Sequence, residues 1–393
     1  MDFGYYGSNR DQRMSRERIQ NRWMDAYAPA RHLDGVLILA VLGLSLIGVV
    51  MIYSATFHRL ELEGLPPGLF AMRQIMNLGV GLIGMVVAAL VDYRYARAYA
   101  PIIYLGALFL LALVLTPLGV SVHGSASWLG FGPFQLQPSE LAKVALIVSL
   151  AALLHERKGD PDFPTMAAAV VIVAVPALLI LAEPDLGTFL VFPWTGFVIL
   201  LIGGTRARYL IGLGILAIAG IALVFQLGLL KEYQVARLTA FLDPGNTEHA
   251  QTSLYNTNQS MIAVGSGGFH GKGLFRGTQT NLSYVPENHT DFIFTVVGEE
   301  FGFIGASVVL GLFALVLWRG LRIAAMAKDT FGMLLATGAV ATFSIQLFVN
   351  VGMTVGISPV TGIPLPFVSY GGTSLLAAYL LVGLMLNVHM RRF

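Results

Sequence analysis

Residues 255–302 read YNTNQSMIAVGSGGFHGKGLFRGTQTNLSYVPENHTDFIFTVVGEEFG, and the rest of the chain makes sense outward from them. The stretch begins polar and glycine-rich, far longer than a connection between neighbouring membrane helices needs, and ends with a carboxylate, Asp291, where an apolar helix begins. On both sides lie apolar runs of the roughly 20 residues that a helix needs to cross about 30 Å of hydrocarbon. They fall at 34–56, 72–91, 98–116, 139–155, 165–182, 186–203, 207–229, 291–317, 331–357 and 367–388. The composition agrees: 56% of the 393 residues are hydrophobic and 12% charged, against about a quarter charged in soluble domains. The expected fold class is therefore an all-α polytopic membrane protein of about ten transmembrane helices in contact with membrane lipids, with a large loop, about residues 230–290, between spans seven and eight.

Ten spans put both ends on one side. Lys and Arg are retained preferentially on the cytoplasmic face, and segments sharing a side with the termini hold 17 of the 24 basic residues: Arg10, Arg13, Arg16, Arg18, Arg22, Arg31, Arg94, Arg97, Arg157, Lys158, Arg206, Arg208, Arg319, Arg322, Lys328, Arg391 and Arg392. Both termini are expected in the cytoplasm and the long loop outside it. Residues 1–33 form a polar, basic cytoplasmic segment without the pattern of a cleaved signal peptide, and 34–390 a single membrane domain. Such a basic flank is the ordinary companion of a first span, and a net charge of +2 gives no ground for a nucleic-acid partner. There are no cysteines, hence neither disulfides nor thiolate metal sites.

Four further segments carry polar groups where an apolar chain has little use for them. GVSVHGSASWLGFGPFQLQPSELAK, residues 119–143, reads as an irregular outer loop around Trp128 leading into the fourth span. Pro138 suits a first helical turn, and Glu140 and Lys143, three apart, share a face and can pair. That pair reads equally as a local interfacial ion pair or as the costly intramembrane charge that marks a functional site. In LAEPDLGT, Asp185 is either an N-cap for the sixth span or, with Glu183, part of a polar cavity. The opening of the long loop, with Tyr233, Leu238, Phe241 and Leu242 among charges, is expected to lie as an amphipathic helix in the interface. The glycines from Gly265 to Gly277 around Lys272 and Arg276 could turn backbone N–H groups toward an anion or serve only a much-turned loop; they do not form a Walker loop. Finally GISPVTGIPLPFVSYGGTS, 356–374, puts three prolines beside an apolar run, which implies irregular backbone lining a cavity. Glu140, Asp185, Asp291 and Ser369 are the expected lining of that cavity. Asp291 itself reads as well as a helix cap as a chemical group, and residues alone leave an enzyme and a transporter of lipid-linked material level.

QPSELAK, EPDLGT, NQSMIAVGSGGFHGKGLFRGTQ, PENHTDFIFTVVGEEFG and LPFVSYGGTS, in this order, resemble the SEDS family of shape, elongation, division and sporulation proteins, over most of residues 34–390. GKG followed by GTQ and PENHTDFIF is more similar to the RodA-like elongation branch than to the division branch. The resemblance implies a peptidoglycan glycosyltransferase of the bacterial cytoplasmic membrane that polymerises lipid II, working with a class B penicillin-binding protein as transpeptidase and a divalent cation, Mg²⁺ or Mn²⁺. It implies that Asp291 is the catalytic carboxylate with Glu140 and Lys143 near it, and Asp291 and Glu140 as the carboxylates nearest any metal. In the chemistry so implied, a sugar hydroxyl attacks an anomeric carbon with inversion, Asp291 takes the proton as general base, and Lys272, Arg276 and Lys143 are candidates to meet the leaving diphosphate. Trp128, Asp185 and Ser369 complete the substrate-binding candidates. Many relatives carry Arg or Lys just before the Trp, where this chain has Ala126 and Ser127. The alternative function is a flippase for a lipid-linked cell-wall precursor.

Overall fold

The computed structural model describes residues 33–392 except 123–124, 132–133, 158–160, 227, 229–234, 236, 238–240, 242–250 and 283. The basic N-terminal segment and most of the expected amphipathic stretch from Tyr233 to Leu242 lie outside the described residues. In chain order the helices are α1 (Gly35–Leu62), α2 (Leu69–Leu90), α3 (Tyr93–Ala98), α4 (Ala100–Val114), α5 (Pro138–His155), α6 (Phe163–Ala182), α7 (Leu186–Ile202), α8 (Ala207–Gln226), α9 (Gln251–Ser266), α10 (Thr278–Asn281), α11 (Ile293–Ala325), α12 (Thr330–Thr354) and α13 (Gly372–Met390). Seven of these are long and apolar enough to cross a membrane, and α4, α7 and α8 are shorter apolar helices. Together they fall on the ten apolar runs read in the sequence, in a multi-pass membrane protein. Short polar caps start several: Asp34 accepts from Leu37 N, Asp162 from Thr165 N and Asp329 from Gly332 N, each satisfying a donor that a helix start leaves over.

The central layer is α5, α12 and α13, most of whose residues are buried. Helices approach through small residues, as they must where lipid gives no hydrophobic drive to associate. A Cβ at Gly383 would stand 2.5 Å from the Met85 carbonyl, and one at Gly81 would meet the Tyr379 ring at 2.9 Å, so α2 and α13 touch nearly backbone to backbone. Asn387 on α13 completes that interface by donating to the carbonyls of Ala88, at 2.8 Å, and Val91.

One end of the bundle is closed by polar ties: Arg319 pairs with Asp34, Arg391 with Asp92 at 3.5 Å, and the Tyr93 hydroxyl donates to Asp329 at 3.0 Å. The opposite end carries the features singled out in the sequence. There the segment expected to be irregular is a three-stranded antiparallel sheet, β1 (Gly119–Val122), β2 (Ser125–Phe131) and β3 (Phe134–Leu136), in that order. Trp128 pairs with Val120, and Ser127 and Leu129 are buried on the other face, the two-residue alternation of a half-covered strand. The long loop is also more regular than expected, since its described part holds α9 and α10.

The largest departure is in α11. Its 33 residues are not one rod: Gly302 has φ +61° and ψ −155°, which breaks the helix into a half-helix, 293–301, and a span, 303–325. From Ile293 to Glu300 every residue is buried.

Candidate active site

The half-helix organises the site. Asp291 stands just before it, and the cap position itself belongs to Phe292. The turn before it, 287–292, is set by Glu287, whose φ of +53° is unusual for a residue with a Cβ; its carbonyl accepts from Thr290 N and Phe292 N. Positive φ also occurs at Phe275 in the glycine loop and Phe367 in the proline-rich linker. Such conformations cost on the order of 1–3 kcal/mol and gather at functional sites; here those of Glu287 and Phe367 lie in the turn and the linker that meet at Asp291.

The linker between α12 and α13 roofs this turn. A Cβ at Gly362 would lie 3.2 Å from Asp291 Oδ2. Asn350, fully buried in α12, donates from Nδ2 to the Asp291 carbonyl at 2.7 Å and to the Ile363 carbonyl at 2.8 Å, binding turn to linker. Ser369 does the same: its hydroxyl donates to the Thr290 carbonyl at 2.6 Å and accepts from Leu365 N at 2.8 Å. Gln74 from α2 donates to the Ser369 carbonyl at 3.1 Å, a contact that sequence reading missed; its signal was an amide in the first turns of an apolar span.

Glu140 and Lys143 pair at 2.7 Å, with side chains only 2% and 4% exposed. They are not at a wet interface but line a small cavity with Gln346, Thr342, Pro366 and Ser374, so they reach the linker from the side of α5 and α12 while Asp291 meets it at Gly362. Asp185 does cap α7, accepting from Thr188 N at 2.9 Å, and also accepts from Gln137 Nε2 at 3.3 Å. Loss of water around it pushes its carboxyl up; the Thr188 hydrogen bonds oppose this, the Glu140 charge adds to it and Lys143 offsets it. Asp185 is thus a cap, with the charges of Glu140 and Lys143 within reach. Trp128 is half-buried, on the face of β2 opposite the one that Ser127 and Leu129 bury.

Beside Asp185, burial pushes the Glu183 carboxyl up to about 8, with the Asp185 charge adding to it. A carboxyl raised in the folded state binds a proton that the unfolded chain has already lost, so stability is full below the ordinary value near 4.5 and falls as pH rises toward 8. In detergent the unfolding temperature is therefore expected to drop between pH 5 and 8, and Glu183→Gln to flatten the slope, by on the order of a few kcal/mol across the window. An unchanged slope in Glu183→Gln would place the titrating group elsewhere.

The glycine loop does not present its N–H groups outward as an anion cradle. Lys272 N and Gly273 N donate to the carbonyls of Glu299 and Glu300, at 3.0 and 2.9 Å, and Phe303 N and Ile304 N donate to the carbonyls of Gly268 and Phe269, at 2.9 and 3.2 Å. These are the groups that a helix break leaves without partners, so the loop caps both sides of the break. Gly271 has to be glycine: its φ is +80°, and a Cβ there would stand 2.1 Å from the Glu300 carbonyl. Lys272 Nζ pairs with Glu299 at 2.8 Å, while Arg276 is exposed on the same loop. No group of three or more His, Asp or Glu suited to hold a metal occurs among the described residues.

A family model described as a cell cycle protein, FtsW/RodA/SpoVE, matches residues 35–392. The chain belongs to the FtsW/RodA/SpoVE family. Among its relatives, a probable peptidoglycan glycosyltransferase FtsW of Geobacter sp. (strain M18) is 41% identical, over 91% of this chain and 96% of the relative. The peptidoglycan glycosyltransferase MrdB of Escherichia coli K12 is 37% identical, over 92% and 94%. A solved structure described as a peptidoglycan synthase complex coordinating polymerization and crosslinking superposes with a TM-score of 0.76 at 32% identity, covering 92% of this chain and 98% of that one. The family resemblance drawn from the motifs is thus borne out along the whole membrane domain.

Proposed function

We propose that this chain is a peptidoglycan glycosyltransferase that polymerises lipid II into glycan strands during cell elongation, by inverting transfer with Asp291 as general base. The observation that carries it is the placing of Asp291 at the start of the buried half-helix, where Asn350 ties its main chain and Ser369 pins its turn beneath Gly362. In the reaction the 4-hydroxyl of one lipid-linked disaccharide gives its proton to Asp291 as its oxygen attacks the anomeric carbon of another, and the lipid diphosphate leaves from the opposite face. The α-linked diphosphate becomes a β-glycosidic bond with no covalent enzyme intermediate.

Arg276 would meet the departing diphosphate, with Lys143 behind it. Mg²⁺ takes one or two carboxylates together with substrate phosphates, which suits Asp291 and Glu140; a Mg²⁺ or Mn²⁺ ion held by them would neutralise charge on the diphosphate. The end of the bundle carrying Asp291 faces outward and both termini lie in the cytoplasm of a bacterium, as the distribution of basic residues supports. A class B penicillin-binding protein is the partner, an inference supported by the resemblance to a synthase complex that also crosslinks. The GKG, GTQ and PENHTDFIF motifs support the elongation branch.

The test is polymerisation of purified lipid II in detergent, with a divalent cation and the cognate transpeptidase. Glycan strands are expected. None, under conditions where a known polymerase works, together with movement of labelled precursor across vesicles holding the protein, would instead make it a flippase.

A further inference from the structure

The loop that caps the helix break does so through one side chain more than any other. Glu299, with no exposed surface, accepts from Lys272 Nζ at 2.8 Å, Gln279 N at 2.8 Å, Thr280 N at 3.0 Å, Thr280 Oγ1 at 2.7 Å and Thr278 Oγ1 at 3.3 Å. Lys272 Nζ also donates to Thr278 Oγ1 at 2.6 Å. A carboxylate offers about four lone-pair sites, so Glu299 is saturated by the loop. The adjacent Glu300 holds another part of the same region by accepting from Ser54 of α1, where Tyr53 and Phe57 pack on the Phe275 ring. The loop leads on to the turn that carries Asp291, and Asn288 Nδ2 in that turn donates back to the Thr280 carbonyl at 3.5 Å.

We propose that Glu299 and Lys272 form a clamp that positions Asp291, and that Lys272 is a positioning residue and not a ligand of the substrate diphosphate. Asp291 enters the half-helix at one end and Glu299 is near the other; Glu299 grips residues 272–280, and these residues run into the turn 287–292. The half-helix, the loop and the turn close a ring in which Asp291 is one member. Opening the ring at Glu299 frees the loop and with it the turn whose strained Glu287 sets the direction of Asp291. A misplacement of about 1 Å in a reacting group costs on the order of 10²-fold in rate, so the clamp acts on turnover and leaves substrate affinity alone. The sequence placed Lys272 among candidate cations for the diphosphate, but an ammonium paired with a fully buried carboxylate has its charge already answered.

The inference rests on the polymerase reading for its rate effect, but not for its structural part, and two measurements separate them. Amide hydrogen exchange is followed in detergent, without substrate, for the unaltered chain, Glu299→Gln, Lys272→Met, their double variant, and the milder Thr280→Val in case the others do not fold. Faster exchange over 267–280 and over 287–292 is expected in each, and no change in either segment would overturn the clamp. Turnover on lipid II is then expected to fall by about 10- to 100-fold in each clamp variant, with KM within about twofold, the double variant no worse than the poorer single one, and Lys272→Arg largely restored. A roughly tenfold rise in KM for Lys272→Met at unchanged kcat, additive with Glu299→Gln, would make Lys272 a diphosphate ligand and overturn the assignment. Absence of glycan from the unaltered chain would count against the polymerase reading, while the exchange result would still decide the clamp.

Discussion

Asp291→Asn is expected to lower lipid II polymerisation by about 10²- to 10⁴-fold, the range a positioned general base contributes, without lowering the unfolding temperature. The two halves of this expectation come from the same geometry. Asn caps a helix about as well as Asp does, so this substitution spares the helix start. The Asp291 carbonyl is bonded by Asn350, and that carbonyl survives the substitution. Asn keeps the size and polarity beneath Gly362 and removes the ability to take a proton. Glycan strands counted on a gel from both folded proteins check this. Equal product would strip Asp291 of its assigned role, and a fall in thermal stability matching the loss of activity would make it structural.

Lys143→Met has the second large expected effect, and of the opposite kind. Breaking a buried ion pair from one side leaves an uncompensated charge and costs about 3–5 kcal/mol, whereas replacing both partners by neutral groups of similar size is often close to neutral. With side chains 2% and 4% exposed, Glu140 and Lys143 belong to that buried class. Lys143→Met alone is thus expected to unfold far more readily, and Glu140→Gln with Lys143→Met to recover most of the loss. Recovery of stability is not recovery of function: with neither the carboxylate nor the ammonium near the linker, the double variant is expected to fold and to remain poor at polymerisation. A single variant losing less than about 1 kcal/mol would mean that the pair is hydrated like a surface one.

The ten spans were legible because lipid forces every backbone group into a helix, and a helix across it leaves a run of fixed length. The Glu140–Lys143 contact was legible from spacing three alone. The sheet around Trp128 was not, since its glycines and serines hid the alternation of Ser127 and Leu129 against Trp128 and Gly130. The role of the glycine loop was hidden for a different reason: its N–H groups look free in sequence because nothing there announces that the helix after Asp291 stops at Gly302. Once the break is known, the carbonyls of Glu299 and Glu300 need donors, and the nearest supply is the loop. Asn350 lies in an apolar span, and its partner, the carbonyl of Asp291, could only be seen in space.

The close seam between α2 and α13 also bears on how the chain is made. A ribosome delivers α2 among the first spans, and the surface that Gly81 and Met85 offer to Tyr379 and Gly383 has no occupant until the last span emerges. During nearly the whole of synthesis that groove faces lipid, or whatever insertion factor shelters it, and the carbonyls of Ala88 and Val91 wait for Asn387. A chain truncated before α13 would thus keep that small-residue stripe and the two carbonyls open.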